Sequence, residues 1–173
     1  MMQKQNGFTL IELVVVIIIL GILAVTAAPK FINLQSDARV SALQGVRAAI
    51  QGANSLVYSK AAISGQERLA LGASPAPAVD IGTGTDAVTN FGYIQSDKDE
   101  LENAIDVKFD IGTSATDPTS TGSNDWIIFP GTAAAVVNIW QRGAPATCTF
   151  TYTQATSTSV VPVVSAAPSA AGC

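Results

Sequence analysis

Apolar residues dominate the start of the chain, and their continuity predicts a long helix. Residues 8–28 number 21, and Glu12 is the only charged residue among them. A helix of about 20 apolar residues, rising about 1.5 Å per residue, crosses the roughly 30 Å hydrocarbon core of a bilayer. The pattern therefore predicts a membrane-spanning helix over residues 8–28 that contains one acid.

The carboxylate of Glu12 is costly in that setting. An acid at the centre of a membrane helix costs at least about 2.5 kcal/mol on insertion scales, and a simple anchor needs no acid. Two interpretations are open at this point. Either Glu12 is a polar residue tolerated near the membrane surface, or it pairs with a group that the membrane-inserted monomer lacks.

Beyond Pro29 the pattern becomes amphipathic, which predicts that the helix continues to about Tyr58. Apolar residues recur there at spacings of three and four, and polar residues fall on another face. Gly21 and Pro29 interrupt the pattern, and a proline within a helix removes a hydrogen bond and tends to kink it. Alternatively, Pro29 begins a separate helix behind a linker. The apolar positions are Val40, Leu43, Val46, Ile50, Ala53 and Val57, and the polar ones are Ser41, Gln44, Arg47, Gln51 and Asn54.

The middle of the chain is predicted to consist mainly of loops. Glycines and prolines in residues 60–86 indicate an irregular connection, with a short helix over residues 66–71. The acids of residues 97–106 predict a solvated helix that opens at Ser96, because a helix N-terminus favours acids. A calcium site is the alternative, although the spacing does not fit an EF-hand loop. Residues 112–123 have the composition of an exposed loop.

The last third of the chain predicts short strands. Residues 125–129, 134–141 and 148–154 are apolar or alternating runs separated by short turns, which favours an antiparallel meander with one face on the amphipathic helix. Residues 160–164 add a fourth strand, which Pro162 confines to an edge. The predicted fold is therefore α+β, with a long N-terminal helix packed on a small antiparallel sheet.

Composition and charge narrow the classes of function. The net charge is −4 and most acids lie between Asp80 and Asp125, so the sequence shows no basic surface for nucleic acid. Histidine, the commonest general base and metal ligand, is absent from the sequence. The sequence also has no recognisable nucleophile–base pair, metal-ligand cluster or phosphate-binding loop. We therefore expect no enzymatic activity, no catalytic residues, no bound metal and no cofactor.

The cysteines and tryptophans suggest structural roles. Cys148 and Cys173 indicate one disulfide in an oxidising compartment, the alternative being two free thiols in a reducing one. A bridge between them would contribute about 3–4 kcal/mol on the chain-entropy model. Trp126 and Trp140 could stack on a sugar, but in predicted strands they are expected to belong to the core.

The N-terminal motif resembles that of type IV prepilins and of the pseudopilins of type II secretion. The resemblance lies in residues 7–13, GFTLIEL, and in the apolar run behind them. In that family a membrane peptidase cuts after the glycine, and the new N-terminal residue is then N-methylated. The resemblance implies a cut between Gly7 and Phe8, with methylation of Phe8. Asn6 departs from the pattern, because many family leaders have a basic residue there.

The resemblance also implies a role for Glu12. Cleavage creates an α-amine on Phe8, and the Glu12 carboxylate of one subunit can meet the Phe8 amine of another. Paired charges are tolerated in an apolar core whereas mispaired ones stay costly, so the pair can set the assembly register. The family further implies a curved or locally melted stretch around Gly21 and Pro29, and a surface loop closed by a C-terminal disulfide.

Residues 27–58 sharpen the resemblance toward one class of pilins. The segments 27–39, 43–45 and 51–54 are similar to major pilins of the mannose-sensitive haemagglutinin (MSHA) class. This likeness is close over about the first 60 residues and loose over the rest. It implies a bacterial surface filament used for adhesion and biofilm attachment, and it does not imply that this subunit itself binds sugar.

These resemblances imply a division of the chain and a set of partners. Residues 1–7 are expected to be a cleaved leader, residues 8–28 a transmembrane and filament-core helix, and residues 29–173 an amphipathic helix with a globular head. The expected partners are a prepilin peptidase, the pilus assembly machinery, other copies of the chain and an unknown surface receptor. The protein is expected in the inner membrane as a single-pass protein before assembly, and then in the extracellular filament. The alternatives are a pseudopilin of type II secretion and, in another class, a membrane-anchored periplasmic binding protein.

Overall fold

The computed structural model describes residues 7–130 and 135–173, which form an α+β fold as the sequence predicts. One long helix, α1 (Leu10–Ile63), packs through its second half against a head of two small sheets and a short helix. The strands and remaining helices have the following bounds: β1 (Ala78–Val79), β2 (Ala87–Asn90), β3 (Tyr93–Ile94), α2 (Lys98–Ala104), β4 (Phe109–Ile111), β5 (Trp126–Phe129), β6 (Val136–Gln141), β7 (Thr149–Thr153), β8 (Val163–Val164) and a 3-10 turn (Ala170–Gly172).

Helix α1 is continuous and longer than the pattern predicts. It has 54 residues, so at about 1.5 Å per residue it is roughly 80 Å long, and it ends five residues beyond Tyr58. The helix passes through Pro29 without a break, so the alternative of a separate helix behind a linker is wrong. The kink expected at Gly21 and Pro29 stays a prediction.

The second half of α1 buries the apolar face that the spacing predicts. Leu43, Val46, Ile50 and Val57 are buried, and Ala61 extends the stripe by one more turn. These side chains join residues of both sheets in a single core cluster. Each Å² of apolar surface buried along this stripe contributes about 25 cal/mol of stabilisation, and this burial attaches the helix to the head.

Asn54 is the exception to the predicted polar face, because it is buried with only 6% exposure. Its Oδ1 accepts hydrogen bonds from the backbone N–H of Ile94 and from the hydroxyl of Tyr152, each at 3.2 Å. The prediction assumed one sheet against the helix. Two sheets meet α1 here, one through β3 and one through β7, so the buried face is wider than the apolar stripe alone.

The head contains two sheets rather than the one that the sequence predicts. The first is an antiparallel sheet in the order β1-β2-β3, in a part of the chain that was expected to be mostly loop. The second has the order β4-β5-β6-β7-β8. Strands β5 to β8 form the predicted antiparallel meander, with β8 at the edge as expected. Strand β4, which the sequence did not predict, pairs parallel to β5.

The alternation in β7 is confirmed, and one tryptophan belongs to the core. Cys148, Phe150 and Tyr152 are buried whereas the intervening threonines are half-buried. Trp140 is fully buried, and its Nε1 donates a hydrogen bond of 3.0 Å to the Ala146 carbonyl. Trp126 is half-buried beside the core. The start of the predicted second strand, at residue 134, lies outside the described residues.

The loop between the parallel strands β4 and β5 is held by an ionic and hydrogen-bonded network. Arg142 forms an ion pair with Asp110 and donates a hydrogen bond of 3.0 Å to the Ser120 hydroxyl. Asp110 also accepts from the backbone and side-chain amides of Asn124, each at 2.8 Å. A Cβ on Gly122 would lie 2.0 Å from an Asp110 oxygen, so a side chain does not fit there. The loop predicted over residues 112–123 is therefore tied at its base.

The short helix predicted over residues 66–71 is wrong. This stretch forms turns, and its polar groups pair with the first sheet instead of with a helical backbone. Gln66 Oε1 accepts from the Ala78 N–H at 2.7 Å, and the Leu71 N–H donates to Asn90 Oδ1 at 2.9 Å. Because these contacts come from residues distant in sequence, the local pattern did not indicate them.

The acidic helix is present as α2, but its first residues differ from the prediction. Asp97 is the N-cap instead of Ser96, and its Oδ1 accepts from the Asp99 N–H at 2.9 Å. Glu100 is not simply solvated, because it accepts from the Val88 N–H at 2.8 Å. In the described part of the chain, no group of three or more acidic, histidine or cysteine residues is arranged to hold a metal ion.

Glu102 connects α2 to its surroundings. It accepts from the Phe109 N–H at 2.7 Å and forms ion pairs with Lys98 at 3.1 Å and Lys108 at 3.0 Å. Burial raises the pKa of Glu102, but the hydrogen bonds from Phe109, Lys108 and Lys98 outweigh this effect and hold the pKa below its ordinary value. The ionised carboxylate therefore stabilises the folded head at pH values above the ordinary glutamate pKa.

We expect Glu102→Gln to reduce the free energy of unfolding by about 1–2 kcal/mol at about pH 7, and to have little effect near pH 2. The sign follows from the lowered pKa, since the stabilisation is lost as the pH falls through it. Urea unfolding of the full chain in detergent micelles at both pH values measures the difference. Asp99→Asn is the control, because Asp99 is 85% exposed in its pair with Lys98 and should contribute little. An equal loss at both pH values would contradict the electrostatic origin.

Candidate functional site at the N-terminus

The first half of α1 has an uncovered apolar surface. Residues 10–27 are apolar enough over 18 residues to cross a membrane, and none of this segment is buried within the chain. Phe8, just before the helix, is 90% exposed. Monomeric soluble proteins rarely expose so much contiguous apolar surface, which marks a membrane or partner surface. Within the predicted segment, residues 10–27 therefore have an apolar surface that no other described part of the chain covers.

Glu12 and Thr9 form a capping box at the start of α1. Thr9 has extended backbone angles, and its hydroxyl accepts from the Glu12 N–H at 3.3 Å. In return, Glu12 Oε2 accepts from both the backbone N–H and the hydroxyl of Thr9, each at 2.8 Å. This arrangement satisfies N–H groups that a helix start otherwise leaves free. It also holds the carboxylate at the tip of the helix.

The predicted processing residues lie beside that capping box. Gly7 and Phe8 precede the helix, and Phe8 is four residues before Glu12 in the sequence. Residues 1–6 of the predicted leader lie outside the described residues.

Gly21 has open space around it, since a Cβ there would meet nothing within 4 Å. Cleavage after Gly7 and the pairing of Phe8 with Glu12 between subunits stay predictions.

The C-terminus is fastened to the head and to α1. Cys148 and Cys173, which the sequence led us to expect as a pair, are joined in a disulfide. Arg39 of α1 donates hydrogen bonds to the carbonyls of Cys173, at 3.2 Å, and Gly143, at 2.7 Å. Arg47 donates to the Ser165 carbonyl at 2.8 Å. Sequence reasoning missed both arginines as C-terminal contacts, and their only signal was a basic residue on the polar side of an amphipathic helix.

The N-terminus of this chain is similar to a known N-terminal motif. The family model of the prokaryotic N-terminal methylation motif matches residues 2–28. The type IV narrow pilus major component PilA5 of Thermus thermophilus is 38% identical over 59 residues, which are 34% of this chain and 51% of that protein. The type II secretion system core protein G of Pseudomonas aeruginosa is 43% identical over 51 residues, which are 30% of this chain and 36% of that protein.

These likenesses are partial. The chain spans about half the length of the first relative and about a third of the second. No solved structure matches the chain. The matched motif begins before Gly7 and covers Phe8, Glu12 and most of the apolar helix, which is the part with the capping box and the uncovered surface. The N-terminal segment of this chain is therefore similar to that of a type IV pilin and of a type II secretion protein, and the chain has an α+β, pilin-like arrangement.

Proposed function

We propose that this chain is the structural subunit of a bacterial type IV pilus of the MSHA class, which serves adhesion and biofilm attachment. The observation that carries the proposal is the apolar segment of residues 10–27, which no other described part of the chain buries and in which Glu12 is the only charged residue. Such a helix needs lipid or other helices around it. The MSHA class is supported by the similarity of residues 27–58 to those pilins.

In this proposal the helix over residues 8–28 has two successive environments. It first spans the inner membrane as a single pass, with residues 1–7 as a leader. A prepilin peptidase cuts between Gly7 and Phe8, and Phe8 is methylated. The assembly machinery then moves the subunit into a filament, where the same apolar surface packs against other copies. The chain is thus a substrate of processing enzymes and a structural component, not an enzyme.

Assembly gives Glu12 a partner that the monomer lacks. The new α-amine of Phe8 is four residues before Glu12 in its own subunit, and an axial offset between subunits would bring the amine of one to the carboxylate of another. The capping box with Thr9 already holds this carboxylate at the helix tip. Removing one member of a buried ion pair costs about 3–5 kcal/mol, so wrong registers are strongly disfavoured.

A second candidate is a pseudopilin of type II secretion. The observation that favours it is the 43% identity to the core protein G of such a system in Pseudomonas aeruginosa. A pseudopilin has the same N-terminal motif but forms a short periplasmic structure. The two candidates therefore differ in where the assembled chain is found.

We expect shearing of cells that produce this chain to release long surface fibres whose subunit begins with N-methylated Phe8. The reason is that, in the proposed function, the peptidase cuts after Gly7 and the exposed apolar helix then polymerises. Electron microscopy of the sheared fraction and mass spectrometry of its subunit measure both points. A subunit that keeps residues 1–7, or that is cut near residue 28, contradicts the prepilin assignment. Correct processing with the chain confined to the periplasm favours the pseudopilin.

A further inference from the structure

A cleft on the head combines aromatic rings with a carboxylate whose charge is poorly compensated. The cleft has a volume of about 360 Å³, which suits one side chain or a small ligand. It lies where the end of α1, the turns after it and the first sheet meet. Its lining consists of Tyr58, Glu67, Arg68, Phe91, Tyr93 and Thr158.

The aromatic part of the cleft is a stacked pair of tyrosines. The ring centroids of Tyr58 and Tyr93 are 4.6 Å apart with an angle of 19° between the ring planes. Tyr58 lies on α1 and is 37% exposed, and Tyr93 begins β3 and is half-buried. Because the two rings come from different elements and stay partly open to solvent, they form an aromatic wall in a cleft whose exposed lining is otherwise mostly polar.

Beside this wall, Phe91 has an unfavourable backbone conformation and the next residue is a tightly packed glycine. Phe91 has φ +51°, a value that a bulky residue rarely adopts, and its N–H donates to the Leu69 carbonyl at 2.9 Å. Gly92 has φ +80°, and a Cβ there would lie 2.9 Å from the Glu67 Cα. The same Cβ would lie 3.0 Å from the Tyr58 ring, so Gly92 packs closely against both Glu67 and Tyr58. Strained residues of this kind concentrate at ligand sites.

The carboxylate in the cleft belongs to Glu67, and its negative charge has few hydrogen-bonding or ionic partners. Its Oε2 is buried and has no hydrogen-bond partner among the described residues. Its Oε1 is 3.6 Å from Nε of Arg68, whose side chain is 83% exposed. An exposed pair at that distance is weak and screened by solvent. The Glu67 side chain lines the cleft and is 27% exposed, so its carboxylate attracts a donor with positive charge.

We propose that this cleft binds an organic ammonium group, such as that of a lysine side chain or a free amine, and this goes beyond the filament role proposed above. An ammonium is attracted both by the faces of aromatic rings and by the Glu67 carboxylate. A neutral polyol would leave the charge uncompensated. A divalent metal ion would need several oxygen ligands where the cleft offers one carboxylate.

The test is a titration of the full chain in detergent micelles, followed by the NMR resonances of the tyrosine rings. The probe is Nα-acetyl-lysine methyl ester, and its Nε-acetylated form is the neutral control. We expect saturable shifts of Tyr58 and Tyr93 with the ammonium probe alone. Glu67→Gln should weaken binding about tenfold, whereas Asp106→Asn, which removes a distant acidic charge, should leave it unchanged.

Arg68→Ala is a second test, because the proposal predicts that this substitution strengthens binding of the ammonium probe. Arg68 is exposed, so the substitution should leave the fold intact. Because Arg68 competes for Glu67, its removal should strengthen ammonium binding about two- to fivefold. Weaker binding in Arg68→Ala, equal binding of the neutral probe, or the lack of any saturable shift overturns the proposal. In one outcome, the tyrosine ring resonances shift without the probe as the protein concentration rises. If acetylation of the chain's lysines abolishes these shifts, the ammonium group belongs to a second copy of the chain. Shifts that need the probe assign it to a free amine.

Discussion

We expect Glu12→Ala to insert into the membrane normally and to form no ordered filaments. The substitution removes the single charge of the apolar segment, so insertion becomes easier. It also leaves the Phe8 amine of a neighbouring subunit without a partner in the filament core, at a cost of about 3–5 kcal/mol per contact. Membrane fractionation measures insertion, and electron microscopy of sheared fibres measures assembly.

Two further variants separate the intersubunit pair from the capping box. Glu12→Gln keeps an oxygen that can accept from Thr9 but has no charge, so it should also fail to assemble. Thr9→Ala removes the hydroxyl that bonds Glu12 within the chain but keeps the carboxylate, so it should assemble. Ordered fibres from Glu12→Ala, or failure of Thr9→Ala alone, would refute the pairing role and indicate that helix capping is what assembly needs.

We expect Asn54→Ala to reduce the free energy of unfolding of the head by about 2–3 kcal/mol. The substitution leaves the Ile94 N–H buried without its acceptor and opens a small cavity between α1 and the sheets. The Tyr152 hydroxyl loses one contact but keeps its hydrogen bond of 2.5 Å to the Ile94 carbonyl. Burial raises the pKa of Tyr152, so this hydroxyl stays protonated and keeps its donor even in alkaline solution near the ordinary tyrosine pKa of about 10.

Urea unfolding followed by the fluorescence of buried Trp140 measures this loss in the full chain in micelles. Gln51→Ala is the matched control, because Gln51 lies on the same helix one turn earlier but is exposed. It should change the free energy by no more than about 0.5 kcal/mol. Equal effects of the two substitutions would show that helix propensity, and not the buried junction, determines the stability there.

The sequence predictions succeeded where the interactions are between residues close together in the sequence. The apolar stripe of Leu43, Val46, Ile50 and Val57 was predictable because its spacing repeats the helical period within one segment. The alternation of residues 148–154 was predictable for the same reason, with the period of a strand. The sheet β1-β2-β3 was not, because its strands have two to four residues and too few positions to show a period.

The candidate site shows the same division. The motif over residues 7–13 could be recognised because its residues are consecutive. The capping box of Thr9 and Glu12 likewise connects residues only three apart. The contacts of Arg39 with the C-terminus join residues more than a hundred positions apart, and the cleft joins Tyr58 to Tyr93. Nothing in the local pattern around any of these residues indicates its partner.

By itself, then, the sequence determined the apolar helix with its one acid, the processing motif, the amphipathic continuation and the order of the later strands. Each of these depends on neighbours within a few residues, where spacing alone decides which side chains share a face. Only the tertiary structure decided that Asn54 is buried, that β4 runs parallel to β5, and that Glu67 lies beside two tyrosines. These features depend on how distant segments pack around α1, and the free energy of that packing is a property of the whole fold.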